Sequence, residues 1–220
     1  LELDRAKANI AYLSENNITV TQRIVDLQSA MSIFHSALTT EDYDVPEGHY
    51  EEEQMKQTVV PNRNAIFASI LYGYALSLAT KQDESVKIGL GVHSGDHEIY
   101  PDCRPEFYDA LEHAFQVGNW DSEKVSFYLP YLEGDKETIL IDAEKSLEKL
   151  NLDFDTIFAN TNTSYNPDKE GRSSGKSGAD IERILAFNAI GRKDPVPYVD
   201  DWSKILEHAI QVEKEHKEKI

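Results

Sequence analysis

Apolar residues recur at helical spacing in several stretches of the chain, and β-branched runs punctuate them. Leu3, Ala6, Ile10 and Leu13 share one face, which predicts a helix over residues 2 to 15 that ends at Asn16-Asn17. Ile18 to Leu27 reads as a strand, with Val20, Ile24, Val25 and Leu27 apolar, and a short helix is expected over 28 to 35. A helix over 65 to 80 carries Ile66, Ile70, Leu71, Ala75 and Leu78 and is apolar nearly all round, so it should be buried. Val86 to Val92 predicts a strand, Pro105 to residue 117 a helix opened by a first-turn proline, and Lys124 to Leu129 a further strand. Helices are then expected over 136 to 150, with Asp135 at the N-cap, over 181 to 190, and over 201 to 217.

Strands alternating with helices argue for an α/β protein with a parallel sheet. Two polar stretches interrupt the pattern. Residues 39 to 60 are rich in turn formers and acids, and a loop of that length is functional or mobile. Residues 158 to 180 form the second, and they separate an α/β core over 1 to 157 from a helical region over 158 to 220.

Charge narrows the function. The chain of 220 residues has 22 Lys and Arg against 40 Asp and Glu, a formal net charge of -18. A surface of that sign repels a phosphate backbone, so direct nucleic-acid binding is disfavoured and a small-molecule substrate is favoured. Cys103 is the single cysteine, which rules out an internal disulfide and a thiolate metal cluster. With no signal-peptide pattern and no apolar run of spanning length, no membrane role is expected and a cytoplasmic protein is.

The densest chemistry lies in G-L-G-V-H-S-G-D-H-E-I-Y-P-D-C-R-P-E-F, residues 89 to 107. His93, Asp96, His97, Tyr100, Asp102, Cys103 and Arg104 fall in one loop after a predicted strand, which is where open α/β sheets bind ligands. It is no dinucleotide fingerprint, because the third glycine is one residue late and no helix follows directly. S-S-G-K-S-G at 173 to 178 is no phosphate loop either, since position 170 is Glu where Gly is required. Arg63, just before a helix, is either a surface cation paired to an acid or an anion-binding residue, because the helix dipole disfavours a cation there. Asp102 is either a ligand or a cap for the turn before Pro105, and His97 either a catalyst or a satisfied loop histidine.

Four blocks, V-P-E-G-H-Y (45 to 50), T-V-V-P-N-R-N (58 to 64), G-V-H-S-G-D-H-E-I-Y-P-D-C-R-P-E-F (91 to 107) and S-G-K-S-G-A-D-I-E-R (174 to 183), together resemble the 7-cyano-7-deazaguanine synthase family of queuosine-precursor synthesis. The resemblance spans nearly the whole chain in the right order. It implies a three-layer α/β sandwich of the adenine nucleotide α-hydrolase-like (PP-loop) class, acting as a homodimer. The implied reaction is ATP-dependent: the carboxyl of 7-carboxy-7-deazaguanine is adenylated, ammonia displaces AMP to give an amide, and a second activation and elimination give the nitrile.

Asp96, Lys136 and His93 are the implied catalytic residues, and Arg63, Asn64, Gly95, Tyr100, Asp102 and Arg104 the implied substrate contacts. Arg63 or Arg104 suits the substrate carboxylate. Asp96 and Asp102 suit amino and N–H groups or Mg²⁺. His93, His97 and Tyr100 suit base orientation or proton transfer. Lys136 suits a phosphate. Cys103 lines or packs the loop, since an acyl-adenylate needs no thiol.

The chain departs from the family pattern in two ways. The S-G-G-x-D-S loop that wraps the ATP pyrophosphate is missing from these residues, and Leu1 corresponds to a point just after the family's second strand. The loop is therefore expected upstream of Leu1 or on a partner chain, and a chain that had lost it would be a deazaguanine-binding or regulatory homologue. A plain interaction module is disfavoured, because it has no use for so dense a polar loop. The family's four zinc-binding cysteines correspond to Ser164, Ser174, Ser177 and Asp180. Hydroxyls do not hold zinc as thiolates do, so no zinc is expected. Hydrogen bonds should close the loop instead, with Asp180 capping the following helix or pairing with Lys176 or Arg183.

Overall fold

The computed structural model describes residues 1–39, 46–49, 53–93, 95, 100–165 and 167–219. They divide into two compact units, one of Leu1–Thr58 with Lys136–Ile220 and one of Val59–Asp135. No helix among the described residues is long and apolar enough to cross a membrane.

The second unit holds the sheet. Helix α3 (Arg63–Gln82) leads to strand β1 (Val86–Gly89), helix α4 (Pro105–Gly118) and strand β2 (Val125–Tyr128). β1 and β2 pair in parallel, Val86 opposite Val125 through Gly89 opposite Tyr128, so the expected parallel α/β arrangement is present. The β-branched run continues to Val92, but the ladder stops at Leu90, whose N–H reaches the Tyr128 carbonyl at 3.1 Å. Tyr72, Ala75 and Ala79 of α3 pack on Ile88 and Val125, with Phe115 of α4 and Phe127 completing the core. Tyr72 and Phe115 stack at 4.4 Å between centroids, a geometry suited to aromatic quadrupoles.

The first unit is helical. It contains α1 (Glu2–Glu15), α2 (Gln28–Met31), α5 (Lys136–Leu150), α6 (Phe154–Ala159), α7 (Gly178–Ala189) and α8 (Trp202–Lys219). α7 is its centre, with eight of 12 residues buried. Its Phe187 and Ala186 meet Leu140 of α5 and Phe154 of α6, while Ile181 and Ile184 meet Ile205 and Ala209 of α8. α6 was not evident from periodicity. It is a single short segment whose start is fixed by Asp153, which accepts the Thr156 N–H at 2.7 Å.

One expectation is corrected here. Residues 18–27 form no strand, because they make no ladder pairing, and Val20, Ile24 and Val25 stay exposed. A β-branched run supplies propensity, but a strand also needs a neighbour to take its hydrogen bonds. In α1 the apolar face does not bury: Leu3 is exposed and no residue of the helix is buried. It docks through polar groups instead. Asn9 donates to the carbonyls of Ile157 and Asn160, Arg5 to that of Ala159, and the Tyr12 hydroxyl accepts from the Asp153 N–H.

D-P-V-P-Y at 194–198, which reads as an extended linker, is in fact an anchor. Both Asp194 oxygens take the buried Arg183 guanidinium, at 2.6 and 2.9 Å. The same carboxylate accepts the Val196 N–H at 3.1 Å and the Tyr198 hydroxyl at 2.7 Å. Burial, with Asp194 adding, pushes the Tyr198 phenol far above its ordinary range, so it is a fixed donor. Removing one partner of such a pair strands a buried charge. Asp194→Ala should therefore cost about 3–5 kcal/mol of unfolding free energy in denaturant titration; a loss under about 1 kcal/mol, the level of a surface pair, would show the network to be peripheral.

Candidate functional site

The loop after β1 and the start of α3 build one polar site in the second unit. α3 begins abruptly. Asn62 takes a left-handed conformation (φ 60°), and its side chain caps nothing. The first N–H groups of the helix therefore need another acceptor. Asp102 supplies it: its Oδ2 accepts the Asn64 backbone N–H at 3.2 Å. Asn64 returns the contact, its Nδ2 donating to the Asp102 carbonyl at 3.2 Å and to Cys103 Sγ at 3.4 Å. Asp102 thus caps α3, rather than the turn before Pro105.

The turn itself is a short 3₁₀ helix, Pro101–Cys103, closed by the Cys103 N–H on the Tyr100 carbonyl at 3.0 Å. Asp102 Oδ1 is buried and has no hydrogen-bond partner among the described residues. The Arg63 guanidinium lies 5.6 Å from the centre of the buried Tyr100 ring, within cation–π range. Burial pushes the Tyr108 phenol well above its ordinary range, and Cys103 and Asp102 push the same way, so Tyr108 stays protonated. One side of this site holds a cation on an aromatic face, and the other a carboxylate oxygen with open capacity. That pairing suits a planar ligand bearing both an anionic group and N–H donors.

The expected residues that fall within the described part can now be placed. Arg63, Asn64, Tyr100 and Asp102 come together as described. Arg104 is exposed at the N-cap of α4, and His93 is buried beyond the end of β1. Gly95 is half-buried. Asp96 and His97 lie outside the described residues, as do residues 40–45 and 50–52 of the long acidic loop. Lys136 belongs to the first unit, at the start of α5, where its ammonium pairs with Glu182 of α7.

Ser164, Ser174, Ser177 and Asp180 also converge, in the first unit. Asp180 Oδ2 accepts from the Gly175 N–H at 3.2 Å and from the Ser174 and Ser164 hydroxyls at 3.4 and 3.5 Å. Ser177, not Asp180, caps α7, its Oγ accepting the Asp180 N–H at 3.2 Å. Asp180 therefore pairs with neither Lys176 nor Arg183; it is the fully buried hub of the loop. The cluster holds three hydroxyls and one carboxylate bonded to one another, with no thiolate or imidazole, so it does not fit a structural zinc. Gly175 permits the closure. Its φ is +77°, and a Cβ there would meet Ile205 Cγ2 at 3.0 Å. The backbone N–H groups of Gly175 and Lys176 are engaged, at Asp180 and at Ser174 Oγ, so this loop offers them to no phosphate.

The fold is that of an α/β protein with a candidate ligand site in the loop at a parallel strand's carboxyl end. The chain belongs to the family described as queuosine biosynthesis protein QueC, whose model matches residues 2–191. It is 40% identical over 181 residues to 7-cyano-7-deazaguanine synthase 1 of Colwellia psychrerythraea, covering 82% of this chain and 75% of that one. It is 41% identical to a 7-cyano-7-deazaguanine synthase of Marinomonas sp. (81% and 74% covered) and 38% identical to one of Caldicellulosiruptor bescii (90% and 79%). No solved structure matches it.

The Asp180 hub generates a pH test. Burial raises its carboxyl above the ordinary range, against the pull of its hydrogen bonds. Ionisation then opposes the fold, so the carboxyl's contribution is full below the ordinary carboxylate range and falls as pH rises through the raised value. The unfolding midpoint of Asp180→Asn should gain on wild type as pH rises above the ordinary carboxylate range, about pH 4. A gap that stays constant with pH would mean that the group titrates normally.

Proposed function

We propose that this chain is a carbon–nitrogen ligase that uses ATP to convert 7-carboxy-7-deazaguanine and ammonia into 7-cyano-7-deazaguanine. The observation that carries the reading is the divided Asp102 carboxylate beside Arg63. One oxygen fixes α3, and the other is buried with open acceptor capacity. Arg63, next in the chain to the Asn64 that Asp102 holds, lies over the Tyr100 ring. A 7-deazaguanine offers amino and N–H donors to the first and a carboxylate to the second. Arg63 suits that carboxylate better than Arg104, because Arg63 is half-buried and Arg104 is exposed, where solvent screens it.

Activation transfers AMP to the substrate carboxyl and releases pyrophosphate. Ammonia then adds to the acyl carbon, and AMP leaves. A second adenylation, at the amide oxygen, makes AMP the leaving group again, and loss of two protons from nitrogen forms the nitrile. The roles of Asp96 and His93 in moving those protons, of Lys136 in meeting phosphate, and of Asn64, Gly95 and Tyr100 in shaping the pocket are part of the proposal. So are Mg²⁺ on the nucleotide, a cytoplasmic homodimer and free small molecules as the reactants.

The test is turnover, read as AMP release and as nitrile product by chromatography. Wild type should form nitrile only with both ATP and ammonia present. Arg63→Ala should raise the KM for 7-carboxy-7-deazaguanine about tenfold or more, because a hydrogen bond to a charged group contributes about 1.5–3 kcal/mol. Asp102→Asn should lower kcat/KM by about 10- to 100-fold on the same scale. A wild-type protein that binds the deazaguanine but forms neither amide nor nitrile overturns the ligase reading, and an unchanged KM in Arg63→Ala removes Arg63 from the site.

A further inference from the structure

The block V-P-E-G-H-Y at 45 to 50 has no role in the proposed reaction. Its described residues, Pro46 to His49, are fastened at three points, all within the first unit. Glu47 forms an antiparallel bridge with Ser177. The Gly48 N–H donates to the Lys176 carbonyl at 3.1 Å, from a backbone with φ 120°, a conformation that favours glycine. Those two are backbone contacts. The third is the His49 side chain, and imidazole changes charge near neutral pH.

The His49 ring meets two side chains of α8. Its Nε2 lies 3.0 Å from Glu213 Oε2. A carboxylate only accepts, so Nε2 carries the proton of this contact. The Lys217 ammonium, 2.8 Å from the other oxygen, holds the Glu213 carboxyl below its ordinary range against partial burial, and His49 adds to the effect. The flat face of the His49 ring lies on His216, with centroids 3.6 Å apart and planes within 8° of parallel. Parallel rings direct their nitrogen lone pairs side by side rather than at one point, so the pair does not read as a metal site. On the segment itself, on the 3₁₀ turn at 53–58 and on the 173–178 loop, the side chains of Glu47, Lys56 and Lys176 are exposed, where solvent screens them. The charges that decide the state of His49 are therefore those of Glu213, Lys217 and His216.

This arrangement accepts one proton and resists two. With both imidazoles neutral, His49 donates to Glu213 and the rings stack. A first proton makes the contact to Glu213 charge-assisted and leaves a neutral ring under the cation. A second proton sets like charges face to face at 3.6 Å, with one carboxylate, already bonded to Lys217, to balance them. The two imidazoles therefore titrate as a coupled pair.

We infer that His49 and His216 form a proton-operated latch, which holds residues 46–49 on α8 while the pair carries at most one proton and releases them when it takes the second. Once the rings part, the bridge at Glu47 and the bond at Gly48 are left to hold a segment whose side-chain anchor has gone.

Hydrogen exchange on the whole chain, read by mass spectrometry and corrected for the intrinsic pH dependence of exchange, tests this. Protection of the peptide spanning 46–49 should pass a maximum and then fall at least tenfold by about pH 5, the acid end of the range in which imidazole changes charge, while α7 stays protected. His216→Phe keeps an aromatic face for His49 but takes no proton, so its protection should hold or rise over the same range. Glu213→Gln keeps an acceptor oxygen but loses the charge that favours the first proton, so its fall should begin at a higher pH than in wild type. Wild-type protection that persists to pH 5 overturns the latch. So does a fall of equal size in His216→Phe, and so does a fall shared by α7, which is unfolding of the unit. Should His216→Phe misfold, His216→Gln, planar and uncharged, carries the same decision.

Discussion

A buried guanidinium admits no compromise: it must be met by a carboxylate and filled with acceptors, or it does not bury. In this chain Arg183 sits in the middle of α7, and Asp194 meets it with both oxygens. That demand sets the position of the segment after α7, because Asp194 also takes Val196 N–H and the Tyr198 hydroxyl. Tyr198 then packs on the α7–α8 core, and Ser173 bridges to it from the preceding loop. The apolar contacts of α5, α6 and α8 supply most of the burial in the first unit, but they would tolerate sliding. The ion pair gives them one register.

The polar loops use the same logic on a smaller scale. Asp180 closes residues 164–180 from the inside and Asp102 closes the start of α3, each by offering a carboxylate to backbone and side-chain donors that the local helix cannot satisfy. They differ in what is left over. Asp180 Oδ1 is likewise buried without a hydrogen-bond partner among the described residues, inside a cluster of serine hydroxyls. The second oxygen of Asp102 belongs to a loop that also presents Arg63 and Tyr100.

Much of this was legible in the sequence, and the exceptions share a cause. α4, α5 and α8 follow from apolar periodicity, because each buries one face against neighbours that periodicity anticipates; α3 follows as a helix, but its nearly all-round apolar surface is buried on one side only, with Phe67, Ile70, Leu71 and Tyr74 exposed. Residues 18–27 do not follow, since a strand is a property of two segments and the pattern of one cannot supply the other. Nor does the docking of α1 through the polar side chains of Arg5, Asn9 and Tyr12, contacts that carry no periodic signal. The density of chemistry around residues 89–107 is what marks the candidate site in the sequence. The double use of Asp102 was hidden, because it depends on the left-handed turn at Asn62 and on a helix 38 residues earlier in the chain. The anchor at Asp194 was hidden by its own composition, since D-P-V-P-Y carries every mark of a linker until the buried arginine is seen.

The oxygen-lined closure of residues 164–180 carries a consequence for the life of the protein. A loop held by thiolates around an ion is finished only after the ion arrives, and it is undone by oxidants or by competing chelators. Here the closing groups are Ser164, Ser174, Gly175 and Asp180, all present in the chain from synthesis, and the single thiol, Cys103, is buried elsewhere. Maturation of this loop is therefore coupled to neither metal supply nor redox state, and a cell short of zinc or under peroxide stress would make it as readily as any other.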